Sequence, residues 1–139
     1  MKLDSSFDYL TIKDYKYWTL QVACNQSYLG RCIIWCKRDD AIDLSDMSPE
    51  ESSELVEILK NLKEAEGKSF GASWFNYSFL GNGTRHLHCH FVPRYQNPVE
   101  FSGTIFKDEL WGNNFKTDPN FETTDELREA VRLELKKYL

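Results

Sequence analysis

The stretch HLHCHFVPRY, residues 86–95, holds every histidine of the chain: His86, His88 and His90 alternate with apolar residues. Successive side chains on a strand point to opposite faces of the sheet. The spacing therefore predicts a strand over 86–92, ended by Pro93, with three imidazoles on one face. Leu87, Cys89 and Phe91 fall on the other face, which reads as core. Neighbouring imidazoles would stand about 6.5 to 7 Å apart along such a strand.

Working outward, GASWFNYSF (71–79) reads as a second strand, joined to the histidine strand by the loop GNGTR, so the two form a hairpin-like pair. Upstream, YWTLQVA (17–23) and RCIIWC (31–36) are rich in aromatic and β-branched residues. The turn-forming NQSYLG between them makes them antiparallel neighbours. A helix opens at Ser48, with Pro49 at its first position and Glu51 three residues after the cap. That is a capping box. Leu55, Ile58, Leu59 and Leu62 give its apolar stripe, and Gly67 is the expected stop. A second helix is expected at the C-terminus, capped by Thr123 with Glu126 at the third position. Residues 96–121, with Trp111, are aromatic but irregular. The order of elements predicts an α+β fold: a mostly antiparallel sheet, one main inserted helix and a C-terminal helix.

With 139 residues and 41% hydrophobic content, the chain suits one domain over 1–139. Its net charge of -5 argues against a partner that is a nucleic-acid polymer or a membrane surface. Arg85 and Arg94, flanking the histidines, still allow a local basic pocket. The start, MKLDSSFDYL, has no basic stretch followed by a long apolar run, and no span of about 20 apolar residues occurs. The expectation is a soluble, cytoplasmic protein. Cys24, Cys32, Cys36 and Cys89 form no C-x-x-C pair and read as small buried thiols.

The histidine row has three readings. It could be the solvated face of a half-buried strand. It could hold a metal, although a closed site needs a further ligand and no fourth histidine exists. It could also attack phosphorus, since neutral imidazole carries a free lone pair at pH 7 and flanking imidazoles can position it. A glycine-bearing loop just ahead of the strand could offer backbone N–H groups to anionic oxygens.

HLHCHFV, with LGN before it, PRY after it, IIWCKR and the helix opening DLSDMSPEE, resembles the histidine triad family. The likeness covers roughly residues 15–95 and leans towards the branch similar to diadenosine polyphosphate hydrolases. It implies a nucleotide hydrolase or transferase in which His88 attacks an α-phosphorus and forms a nucleotidyl-histidine. His86 and His90 would orient it, bind phosphate and assist the leaving group. Gly81, Asn82 and Gly83 would form the phosphate loop, Asn76 a polar position beside it, and Asn25 a ribose contact. The resemblance implies no metal site and no cofactor beyond a divalent ion carried by a polyphosphate substrate. It also implies a homodimer, and its nucleotide or dinucleotide substrate as the other partner. The chain departs from the family where Arg31 follows Gly30, a place many relatives give to a fourth histidine; Arg31 could bind phosphate in its stead, alter the hydrogen-bond relay or point outward, and Cys36 and Asp39 also match only in part. A nucleotide-binding or signalling module with little activity is the alternative that this departure raises.

Overall fold

The computed structural model describes residues 5–139. The first four residues, part of the start read above for a leader, lie outside the described residues. After a 3-10 turn at Ser5–Leu10 come β1 (Thr11–Asp14), β2 (Trp18–Val22) and β3 (Cys32–Cys36). The main helix α1 (Pro49–Phe70) precedes β4 (Trp74–Ser78) and β5 (His88–Arg94). A short hairpin of β6 (Val99–Phe101) and β7 (Thr104–Phe106) follows, and α2 (Asp125–Lys136) closes the chain. β1 to β5 form one antiparallel sheet in the order β1-β2-β3-β5-β4. The α+β architecture is as the sequence predicts.

Register divides the sheet into two faces. Trp18 lies opposite Cys36, Leu20 opposite Ile34, Ile34 opposite Cys89 and Cys32 opposite Phe91. These residues are buried together with Leu55, Ile58 and Leu62 of α1 and Val131 and Leu135 of α2. The Trp18 indole donates to the Glu51 carbonyl at 2.8 Å, tying this face to α1. The other face carries the histidines.

Four boundaries differ from expectation, each for a local reason. The histidine strand begins at His88 and runs through Pro93 to Arg94. Pairing with β3 ends at Phe91, so Pro93 has only β4 beside it and its missing N–H costs no ladder bond on the β3 side. α1 passes Gly67 and stops at Gly71, whose φ of 72° is left-handed, after one more turn that buries Phe70. The cap of α2 is Thr124, whose side chain accepts from Leu127 N. Thr123 accepts instead from Gln26 N at 3.0 Å and pins the tail to the β2–β3 loop. The region read as irregular contains β6–β7, turned by Ser102 (φ 51°) and Gly103 (φ 80°). Of the four thiols, Cys32, Cys36 and Cys89 are buried, whereas Cys24 is exposed. No helix among the described residues is long and apolar enough to cross a membrane.

Candidate functional site

The same registers build the second face row by row. Thr19, Trp35 and His88 form one row across β2, β3 and β5. Gln21, Ile33, His90 and Ser78 form the next, reaching β4. Val92 and Asn76 follow, then Arg94 and Trp74. Arg31, one residue before β3, shares this face, because side-chain parity puts it with Ile33 and Trp35.

His88 is held by backbone. Its Nδ1 lies 2.5 Å from the carbonyl oxygen of His86, so Nδ1 donates and the lone pair sits on Nε2. The Trp35 indole stacks on the ring at 4.6 Å between centroids, 27° from parallel. His88 is thus a clamped imidazole of fixed tautomer with an unprotonated Nε2. His86 is buried, and its Nε2 donates to the Cys36 carbonyl at 2.5 Å. That bond leaves His86 Nδ1 buried with no partner among the described residues. The His86 ring therefore ties the approach to β5 onto the end of β3.

His90 is held by a side chain. Arg31 Nη2 donates to its Nδ1 at 3.2 Å, so the His90 proton rests on Nε2. Burial, then the Arg31 guanidinium, then His88 push the His90 pKa down to about 4. The ring is neutral at pH 7 and its Nε2–H is a hydrogen-bond donor. His88 and His90 meet edge to face with centroids 4.9 Å apart. Arg31 is itself buried; its Nη1 donates to Thr117 Oγ1 at 2.5 Å, and its guanidinium lies 5.2 Å from the Phe115 ring. In place of a fourth histidine stands an inward cation braced by the tail.

The backbone under Arg31 is fixed by Gln26, which is fully buried. Its amide donates to the carbonyls of Ala23 and Arg31 and accepts from Gly30 N, at 2.8–2.9 Å. Gly30 has φ 86°, and a Cβ there would lie 1.9 Å from Glu66 Oε1. The left-handed backbone favours glycine, and a Cβ would have to displace the Glu66 carboxyl.

Asn76 lies on the histidine face, two rows from His88, with its Oδ1 accepting from Arg94 Nη1 at 2.7 Å. Gly81, Asn82 and Gly83 lie in the loop from β4 to His86, where Gly81 takes φ 67° and Asn82 and Gly83 are exposed. Asn25 is committed elsewhere: it donates to the Asp118 carbonyl and accepts from Ser27 N, both at 2.8 Å. Asp108 pairs with the buried Arg94 at 2.7 Å, so that arginine is no free phosphate ligand. Among the described residues no group of three or more His, Cys, Asp or Glu side chains could hold a metal ion.

Sequence reasoning passed over three residues that shape the site: Trp35, Gln26 and Thr117. Trp35 had a signal, since alternation in CIIWC puts it opposite the two cysteines. Gln26 looked like turn chemistry, and Thr117 reaches Arg31 across 86 residues with no local mark.

Solved structures share the fold. A histidine triad (HIT) protein from Sinorhizobium meliloti is 19% identical with a TM-score of 0.71, over 99% of this chain and 96% of that one. A histidine triad protein from Marinobacter aquaeolei is 18% identical with a TM-score of 0.72, over 99% and 95%. A hypothetical histidine triad nucleotide-binding protein from Sulfolobus tokodaii is 15% identical with a TM-score of 0.72, over 93% and 82%. At these identities the likeness establishes the fold. Among curated protein sequences nothing matches the chain. The family model described as HIT domain matches residues 27–97, just over half of the chain, and the chain belongs to that family.

Proposed function

We propose that the protein cleaves nucleotide conjugates at the α-phosphorus through a covalent intermediate on His88, with dinucleoside polyphosphates favoured. The observation that carries this is the His88 tautomer: Nδ1 is tied to the His86 carbonyl and Nε2 is left with its lone pair. Nε2 attacks phosphorus, a P–N bond forms, and the bond from phosphorus to the bridging oxygen breaks with its electron pair leaving on that oxygen. Water then attacks phosphorus, the P–N bond breaks, its pair returns to Nε2, and the water proton is released to solvent. His90 Nε2–H and the loop 81–83 offer hydrogen bonds to the phosphate oxygens.

Arg31 supports the choice of leaving group. A neutral His90 donates a hydrogen bond but has no surplus proton to give. Leaving groups that depart as stable anions, such as a nucleoside diphosphate, suit the site; amines, which need a proton, do not. A divalent ion would arrive with the polyphosphate. The active form would be a homodimer.

Intact-mass measurement after brief mixing with diadenosine triphosphate should show one added nucleotidyl group on the wild type and none on His88→Asn. Turnover unchanged in His88→Asn overturns the assignment. A weaker reading, nucleotide binding without turnover, rests on the same Arg31 and predicts nucleotide affinity with no product from polyphosphates or phosphoramidates.

A further inference from the structure

If a nucleotide leaves from the α-phosphorus, its nucleoside needs a seat, and the histidine face has one. An open groove of about 1010 Å³ lies between β4 and the 111–115 segment. Trp74, Asn76 and Ser78 line one side, and Trp111, Asn114 and Phe115 the other. Two of its lining residues connect it to the triad. Ser78 is the register partner of His90, and Phe115 lies under the Arg31 guanidinium that bonds His90. Adjacent strands are about 4.8 Å apart, so the groove begins next to the third imidazole.

Two observations define the ligand chemistry. Trp74 and Trp111 are 65% and 38% exposed, leaving large flat rings open on either side of the groove. The Ser78 hydroxyl is buried with no hydrogen-bond partner among the described residues. The cation at the groove, Arg94, is spent: Asp108 neutralises it, and Asn76 and the carbonyls of Leu110 and Asn113 take its remaining donors. Rings, amides and a free hydroxyl without an available charge suit an uncharged heterocycle and sugar, and repel nothing a base carries. The volume is at the upper end for small-molecule sites, about 300–1,000 Å³.

We propose that this groove receives the nucleoside of the departing nucleotide, its base stacking on Trp111 and a ring or ribose hydroxyl partnering Ser78. The proposal rests on the hydrolase reading above. Its test compares kcat/KM for diadenosine triphosphate, which expels ADP, with that for ATP, which expels pyrophosphate and no ring. In Trp111→Ala the ratio of the two should fall about tenfold, the worth of one base stack, and Trp111→Phe should restore most of it. An unchanged ratio, or recovery by no aromatic replacement, overturns the subsite and leaves the hydrolase reading standing. If the wild type turns over neither substrate, the hydrolase reading fails, and calorimetry with adenosine decides the groove. Binding about tenfold weaker in Trp111→Ala supports the groove as a nucleoside site, and equal binding overturns it. Occlusion of Trp111 that follows protein concentration and ignores adenosine assigns the groove to a second copy of the chain and also overturns the proposal.

Discussion

Helix α1 carries two buried carboxylates fifteen residues apart, and they sit in opposite states. Glu51, at the first turn, accepts from Arg38 Nε at 3.1 Å and Nη2 at 3.0 Å, from Ser48 N at 2.8 Å and from the Cys36 thiol at 3.2 Å. These bonds, the Arg38 pair first, hold its pKa at about 2. Glu66, near the other end, has a distant Cys32 thiol at 3.9 Å and leaves Oε1 without a partner. Burial raises its pKa well above its ordinary value and favours the protonated form. Each supports one end of β3. Glu51 touches Cys36, whose carbonyl anchors His86; Glu66 lies beneath Gly30, which precedes the Arg31 that binds His90. Depth alone does not set the charge of a buried carboxylate: a cation within reach decides it.

The largest effect is expected at the Glu66 end. In Gly30→Ala the new methyl meets Glu66 Oε1 at 1.9 Å, on a backbone whose φ of 86° already disfavours it. Neither the helix nor the loop held by Gln26 can yield freely. The expected loss is above about 3 kcal/mol, read from urea unfolding. A loss below about 1 kcal/mol would mean that Glu66 swings aside and the two ends are not equally braced.

Second comes the Glu51 end. Glu51→Ala takes one carboxylate from Arg38, which keeps Asp40 and the Asp46 carbonyl, removes the capping-box acceptor and frees the Cys36 thiol, for an expected loss of about 2 kcal/mol. Glu51→Gln should cost less and change the acid limb. The folded pKa, about 2, lies below the ordinary 4.5. The stabilisation is therefore complete above 4.5 and disappears as pH falls through 2. Urea midpoints across this range should decline less in Glu51→Gln than in the wild type; parallel declines would refute the role given to the charge.

How much of this was readable in advance follows from range. The capping box of Ser48 and Glu51 is written in four consecutive residues, and alternation in HLHCHFV places the imidazoles on one face once a strand is assumed. Bonds between distant segments leave no such trace. Arg38 pairs with Glu51 across 13 residues, Arg31 with His90 across 59, and Asn25 with the tail carbonyl of Asp118 across 93. Asn25 shows the same: its turn sequence carries no mark of the bond it makes to the carbonyl of residue 118. The three-residue strands β6 and β7 are too short for alternation to register.

Third, Arg31→Met tests the side-chain hold on His90 with the fold intact. Histidine titration by NMR should find the wild-type His90 near 4 and the variant higher, yet below 6.5, because burial is the larger cause and persists. In the wild type the neutral ring adds stability that is present above 6.5 and is lost as pH falls through 4. The variant should narrow that window, and its preference for polyphosphates over phosphoramidates should shrink as His90 becomes able to carry a proton. An unmoved His90 would leave burial as the sole cause and detach Arg31 from leaving-group choice.

The smallest effect at acid pH belongs to Glu66→Gln. A neutral acid and an amide of the same shape differ little, so below 4.5, where the unfolded chain is protonated as well, stability should change by less than about 1 kcal/mol. The difference emerges as pH rises above 4.5, where the unfolded chain ionises before the folded acid does. With its folded pKa raised above 4.5, Glu66 contributes stability that is fully present below 4.5 and lost as pH rises through the folded value. The wild type must eventually ionise an acid that has no cation beside it, or unfold. Urea midpoints should therefore fall with rising pH in the wild type and stay level in Glu66→Gln. If the two curves run together, Glu66 is ionised in place, and the contrast between the two ends of α1 collapses to one of packing.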